Sequence, residues 1–329
     1  MSEASGGDHG ARNEGERIAV IANPRAGGGR AGADRAGIEA AVARAFAQGR
    51  VIWTERPGHA TDIARDLATA GDADIIAALG GDGTCHEVVN GLFRDGVAIN
   101  RRVSFTVIPF GTGGDLVRSL KIKKNVQDAL WIASTGMTLP LDVIQLSFPE
   151  VDGVRRREIC VNVAGFGINA MVCQLVNASS KRYGGTASFL GAILAALGRY
   201  EPKPVDWRWE GPDGAGSATI ETLAAFCANA HYCGAGLYVG KGGSMADGVL
   251  DVSIIPKLGL FAALRHLPKL YAGDFDRVPG VRRVRASHIE VGSPIAIETD
   301  GEAIGEAPVT LDVLPKALMV RGGWLKPNV

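Results

Sequence analysis

Apolar and polar positions follow two different rhythms along the chain. In the first third, compact apolar runs alternate with stretches of three- and four-residue spacing. Ile18-Ala19-Val20-Ile21-Ala22, Val51-Ile52-Trp53-Thr54, Asp74-Ile75-Ile76-Ala77-Ala78-Leu79 and Phe105-Thr106-Val107-Ile108 have the length of buried strands. The first of them stops at the turn pair Asn23-Pro24. Residues 38–46, 60–70 and 85–93 carry the helical spacing, with Ile63, Ala64 and Leu67 on one face. Strands and helices in this alternation predict an α/β domain, a parallel sheet with helices on both faces.

After Pro140 the rhythm shortens. Segments 142–146, 158–163, 205–209, 250–255, 289–291, 295–298 and 309–313 are brief, several alternate, and turn residues separate them. They predict an antiparallel, sandwich-like all-β second domain. A helical insertion at 187–200 interrupts it, and 211–216 reads as a turn between strands. Trp207 and Trp209 share one strand face, which is read as core. The expected division is a disordered tail at 1–16, an α/β domain at 17–141 and a β-rich domain at 142–329.

Composition narrows the classes. Hydrophobic residues make up 46% and charged residues 21%, as in an ordinary globular protein. Lys plus Arg and Asp plus Glu are balanced at 35 each, so no global field favours nucleic acid. The five cysteines (Cys85, Cys160, Cys173, Cys227 and Cys233) form no CxxC pair, which points to a reducing cytoplasm. The polar first residues do not read as a signal peptide. No stretch reaches ~18 apolar residues, and 187–197 is too short to span a membrane.

Three glycine-rich loops follow three strands of the first domain: Asn23-Pro24-Arg25-Ala26-Gly27, Gly80-Gly81-Asp82-Gly83-Thr84, and Pro109-Phe110-Gly111-Thr112-Gly113-Gly114-Asp115. In a parallel sheet such loops gather at the carboxyl ends of the strands. There, backbone N–H groups and helix N-termini bind phosphate, and the Thr84 and Thr112 hydroxyls can donate as well. Asp82 would repel bare phosphate, which suggests an Mg²⁺ ion or a water between them. One such turn alone is often only a tight turn; three at one sheet edge form a nucleotide site. Neither GxxxxGK[ST] nor a GxGxxG after the first strand is present, which disfavours a P-loop or dinucleotide-binding domain.

The set resembles the diacylglycerol kinase catalytic-domain family, which is related to sphingosine kinases and more distantly to NAD kinases. The resemblance is carried by Asn23-Pro24 with Gly27, by Gly80-Gly81-Asp82-Gly83-Thr84-Cys85-His86-Glu87-Val88-Val89-Asn90-Gly91, and by Pro109-Phe110-Gly111-Thr112 with Asp115. Asp247-Gly248-Val249-Leu250-Asp251-Val252 and Asp300-Gly301-Glu302 follow in family order. The stretch from Glu87 to Gly91 marks the lipid branch. The resemblance implies ATP and Mg²⁺ as cofactors. It implies nucleotide contacts from Asn23, Pro24, Arg25, Ala26, Gly27, Thr54, Gly81, Asp82, Gly83, Thr84, Cys85, His86, Glu87 and Thr112. It places a structural Mg²⁺ on Ser244, Asp247 and the Val249 carbonyl, and makes Glu302, beside Asp300, the general base. Asp82 would act through Mg²⁺. Two departures stand out: Gly114 where the family usually has Asn, and Lys241 where Pro is common.

Taken without the resemblance, Asp300-Gly301-Glu302 reads as an ordinary hairpin turn, expected between segments 295–298 and 309–313. His86 reads as a surface or capping residue and Cys85 as a small packed one. The Asp247-Gly248 pair is common turn chemistry, and Arg282, Arg283 and Arg285 read as a solvated charged loop. Phe189, Leu190, Ile193, Leu194 and Leu197, flanked by Lys181, Arg182 and Arg199, line an acyl pocket, touch a membrane or form one buried helix; the spacing leaves these open. The expectation is a lipid kinase converting diacylglycerol to phosphatidic acid, acting on substrate at a membrane surface, with peripheral association and a homodimer both allowed. A sphingoid-base or other lipid-alcohol kinase is the second reading. A catalytically silent lipid- or nucleotide-binding protein is the third, against which Asp82, Asp300 and Glu302 argue.

Overall fold

The computed structural model describes residues 12–111, 114–152, 154–178, 186–234 and 236–324. Thr112 and the Lys181-Arg182 pair lie outside the described residues.

The first apolar runs become four parallel strands: β1 (Asn13–Ala22), β2 (Phe46–Trp53), β3 (Ile75–Gly80) and β4 (Ser104–Pro109), in the order β4-β3-β1-β2. Val20 pairs with Val51 on one side and with Ala77 on the other, and Ala77 with Thr106. Helices α1 (Arg35–Ala45), α2 (His59–Ala70), α3 (Asp82–Gly91) and α4 (Val126–Thr135) cover the sheet. Helix α2 buries Ala60, Ile63, Ala64, Leu67 and Ala68, the predicted face. It lies close against α3, because a Cβ on Gly91 would collide with the Thr61 carbonyl oxygen.

Two expectations need correction here. Strand β1 begins at Asn13, so residues 13–16 belong to the fold and not to a tail. The nearly buried Arg321 guanidinium supplies the reason: it needs a counter-charge and takes the Glu16 carboxylate at 2.6 Å. Helix α3 begins at Asp82, not at Cys85, and Phe93 lies beyond its end. The glycine run is therefore a strand end, an N-cap at Gly81 and a first helical turn.

The other strands of the large sheet are β5 (Met137–Val151), β6 (Val154–Cys160), β7 (Val163–Gly167), β8 (Lys203–Gly211), β9 (Gly214–Ala228), β10 (Leu250–Pro256), β11 (Arg282–Ala286), β12 (His288–Val291), β13 (Ala296–Thr299), β14 (Glu302–Glu306) and β15 (Val309–Gly322). Helices α5 (Ile168–Ala178), α6 (Thr186–Leu197) and α7 (Leu260–Tyr271) are set among them. Pairing is antiparallel, and Val205, Trp207 and Trp209 point into the core as expected. The turn expected at 211–216 tightens to residues 212–213: β8 runs to Gly211, β9 starts at Gly214, and the two pair from Gly211↔Gly214 to Lys203↔Thr222. Strand β14 follows β13 in the chain and pairs with it at the edge of the sheet, so the Asp300-Gly301 turn leads into β14 and not directly into β15. The arginine cluster is strand β11, with Arg283 on Asp276 and Arg285 on Asp247, not a solvated loop.

The domain boundary is also less clean than a cut at residue 141. Strands β5 and β15 run side by side through both halves, from Leu146↔Leu311 to Leu139↔Val320. Val320 then pairs in parallel with Phe105 of β4, and Leu318 and Val320 join the core of the first domain. Among the described residues, fifteen strands form one continuous sheet.

Candidate active site

The three glycine loops meet because β1, β3 and β4 are adjacent and parallel, so their carboxyl ends share an edge. The Asn23 backbone N–H donates to the Leu79 carbonyl at 3.0 Å, and its side-chain nitrogen donates to Thr84 Oγ1 at 3.3 Å. These bonds tie the first loop to the second. The Phe110 N–H donates to the Gly80 carbonyl at 3.1 Å and ties in the third. Gly27 has φ 62°, and a Cβ there would stand 3.1 Å from the Phe110 ring, so both backbone and space call for glycine.

The predicted nucleotide residues line one cavity: residues 23–27, Thr54, residues 81–84, His86 and Glu87. Cys85 does not line it; it is buried in the core behind, where desolvation pushes its thiol well up. Glu87 has structural work as well. Its carboxylate accepts from the N–H groups of Gly58 (3.0 Å) and Ala60 (3.2 Å), capping the open N-terminus of α2. Asn90 binds the Ile159 backbone of β6 in both directions, at 2.9 and 2.8 Å. The stretch from Glu87 to Gly91 thus fastens α3 to α2 on one side and to the second domain on the other.

His86 is neither surface nor cap. It is buried, with Nδ1 3.2 Å from Asp300 Oδ2 and Nε2 3.7 Å from Glu158 Oε2. Burial works against its cation, but the two carboxylates outweigh that and push it up to about 10. Asp300 accepts three further bonds, from the Asn162 N–H (2.9 Å), the Val161 N–H (3.3 Å) and the Cys160 thiol (3.1 Å). With its oxygens so engaged, Asp300 anchors the turn at φ 52° that carries Glu302. Glu302 opens β14 and reaches back across the cleft, where a Cβ on Gly83 would lie 2.5 Å from its Oε1. The expected base thus sits at the N-terminus of α3, beside the phosphate loops.

Asp82 is held in the cavity by the Gly114 N–H. Burial and the neighbouring Asp115 and Asp300 charges push it up to about 7. Gly114 has φ 141°, and a Cβ would come within 2.9 Å of Lys124 Cε, so glycine is what this backbone accepts. Among the described residues no three Asp, Glu, His or Cys groups converge as a metal cage. Mg²⁺ in a kinase is usually held by one or two carboxylates and completed by phosphate oxygens and water. Asp82, whose charge is opposed by two neighbouring carboxylates, fits that donor pattern. In this arrangement the side chains of the expected structural site are engaged with protein partners. Asp247 gives one oxygen to Arg285 at 2.7 Å and the other to the Val249 N–H at 3.4 Å, while Ser244 Oγ accepts from the Ala246 N–H.

Sequence reasoning missed Glu298. Alternation along β13 places it opposite Ile297 and hence outward, but that face is covered by α5 and the carboxyl is buried in the cavity wall. Burial pushes it up to about 8. Lys124 and Arg118, the basic groups lining the cavity after the third loop, were also missed.

The cavity has a volume of about 1110 Å³ and does not end at these carboxylates. It continues into an apolar chamber walled by Val172 and Val176 of α5, Ile193 and Leu197 of α6, and Leu267 and Leu270 of α7. Of the readings open for α6, lining a pocket is the one its inner face fulfils. Leu190 and Leu194 on its other face are exposed.

Comparison with known proteins agrees with this geometry. The diacylglycerol kinase catalytic domain matches residues 17–146, and the YegS C-terminal NAD kinase beta sandwich-like domain matches residues 162–322. The chain is 28% identical over 258 residues to "Probable lipid kinase YegS-like" of Xanthomonas oryzae pv. oryzae (strain MAFF 311018), covering 77% of this chain and 79% of that one. It is 29% identical over 284 residues to a protein of the same description from Pseudomonas aeruginosa, covering 82% and 83%. A solved structure from Bacillus anthracis str. Sterne, described as a diacylglycerol kinase, superposes with TM-score 0.68 at 21% identity, over 94% of this chain and 97% of that one. A second structure from that organism gives 0.73 at 22%, with the same coverage. These two show the fold. With both domain matches in tandem, the chain belongs to the diacylglycerol kinase catalytic-domain family and is an enzyme of the lipid-kinase type.

Proposed function

We propose that the enzyme transfers the γ-phosphoryl group of ATP to the free hydroxyl of diacylglycerol, yielding phosphatidic acid. The observation that carries this reading is the single cavity, polar and glycine-rich at one end and apolar at the other, with Glu302 at the junction. The loops at residues 23–27 and 81–84 orient the triphosphate through backbone N–H groups and the α3 N-terminus. Magnesium, bound with Asp82, would neutralise charge on the transferring phosphoryl group. Glu302 takes the proton of the acceptor hydroxyl as that oxygen attacks phosphorus and ADP leaves. Asp300, fixed by His86, the Cys160 thiol and the Val161 and Asn162 N–H groups, sets where Glu302 stands.

The test is a panel of radiolabelled-ATP assays on diacylglycerol, sphingoid bases and other lipid alcohols, run beside Glu302→Gln. Phosphatidic acid is expected as the main product. Removal of a general base is expected to lower kcat by about 10²–10⁴. Preferential labelling of a sphingoid base would move the assignment to that substrate, and wild-type turnover by the variant would remove Glu302 as the base. ATP binding without turnover on any lipid would favour a silent binding protein.

A further inference from the structure

Helices α6 and α7 are apolar on two sides. Their inner faces wall the chamber with Ile193, Leu197, Leu267 and Leu270, and both helices pack into one core cluster. Their outer faces carry Leu190 (42% exposed) and Leu194 (46%) on α6, and Leu260 (53%), Phe261 (80%) and Leu264 (37%) on α7. Among the described residues, eight large apolar side chains are exposed, and five of them sit on these two helices. Neither helix contains an Asp or Glu. Exposed Arg265 lies on α7 and exposed Arg199 just past α6.

We propose that the outer faces of α6 and α7 form a docking surface for an anionic lipid bilayer, placing the apolar chamber directly behind the contact. The proposal rests on the lipid-kinase reading of that chamber. Two observations select a bilayer as occupant. The patch is continuous, through the thickness of one helix, with the space that would receive acyl chains. The charges on the two helices themselves are basic only, Arg265 and Lys269 of α7, which complements anionic headgroups, whereas a two-fold contact with a second copy would bring these cations together with no acid on either helix. Leucines and a phenylalanine beside arginine are the composition of helices that lie in the membrane interface.

The experiment is sedimentation of the full chain with large vesicles of phosphatidylcholine, with or without phosphatidylglycerol. It compares wild type, Phe261→Asp and Arg265→Glu, with thermal melts to confirm folding. Wild type is expected to sediment, more strongly with phosphatidylglycerol present. Phe261→Asp should lower partitioning by about tenfold with either vesicle, since a charge replaces an inserted apolar ring. Arg265→Glu should remove only the phosphatidylglycerol increment. Phosphorylation of vesicle-borne diacylglycerol should fall with binding, while kcat/KM on a water-dispersed short-chain diacylglycerol stays unchanged. Equal sedimentation of all three proteins overturns the proposal, as does a wild-type dimer lost in Phe261→Asp with vesicle binding intact. If binding follows the expected pattern but no lipid is phosphorylated, the docking surface stands and the kinase substrate assignment falls.

Discussion

His86 on α3 and Asp300 on the β13–β14 turn are 214 positions apart and meet at 3.2 Å inside the protein. The pair links α3, at whose N-terminus the glycine loops gather, to the turn that carries Glu302, so one contact fixes two walls of the cavity relative to each other. A second carboxylate, Glu158, shares the imidazolium from β6.

Replacement of His86 by Ala should therefore cost both stability and activity. Breaking a buried charge pair by removing one partner costs about 3–5 kcal/mol, because the other charge stays buried and alone. The sign of the pH dependence follows from the raised value. The stabilisation by His86 is complete below its ordinary 6.5 and is lost as pH rises through about 10. Denaturant titrations at pH 6 and pH 10 should show the gap between wild type and His86→Ala narrowing at the higher pH.

Glu298 follows the same sign in a lower pH window. Between its ordinary 4.5 and about 8 the folded chain holds a proton on this carboxyl that the unfolded chain has released. Its contribution to stability accordingly declines as pH rises through that window. Glu298→Gln keeps the shape and an acceptor for the Gly301 N–H, which now donates to Glu298 Oε2 at 3.0 Å. Relative to wild type, the variant should gain melting temperature steadily from pH 5 to pH 8 and then level off. A constant difference would mean that Glu298 is ionised in the folded protein.

Asn90→Ala removes both bonds between α3 and the Ile159 backbone. Leaving a part-buried N–H and C=O unpaired costs about 1–3 kcal/mol each. The expected loss is about 2–4 kcal/mol in equilibrium unfolding, with greater protease sensitivity at the β6 side of the cleft. A loss below about 0.5 kcal/mol would show that water replaces the amide.

Gly83→Ala separates stability from catalysis. Gly83 lies in the first turn of α3, where Ala is preferred by up to about 1 kcal/mol, so the melting temperature should hold or rise. The new Cβ displaces the Glu302 carboxylate from its place 2.5 Å away, so kcat should fall by about tenfold or more, with ATP affinity little changed. Unaltered kcat would show that Glu302 can work from another position.

Much of this was legible in the sequence because the signals were local. Runs such as Ile18 to Ala22, short and stopped by Asn23-Pro24, read as buried strands, and three glycine loops after three parallel strands share an edge. What escaped was non-local. His86 reads as a surface residue until β6 and the β13–β14 turn close over it with Glu158 and Asp300. Glu298 obeys the outward phase of its strand, and only the packing of α5 makes that phase an interior. Gly114 looked like a defect in the third loop; its φ of 141° and the nearness of Lys124 show a backbone for which glycine is suited.

The long strand β15 carries a consequence for biogenesis. Because Val320 completes the sheet beside Phe105, the nucleotide-binding half exposes an unpaired β4 edge until residues past 320 have left the ribosome. Its folding cannot finish as an independent N-terminal event, and the nascent chain must keep that edge from pairing elsewhere for more than two hundred residues of synthesis.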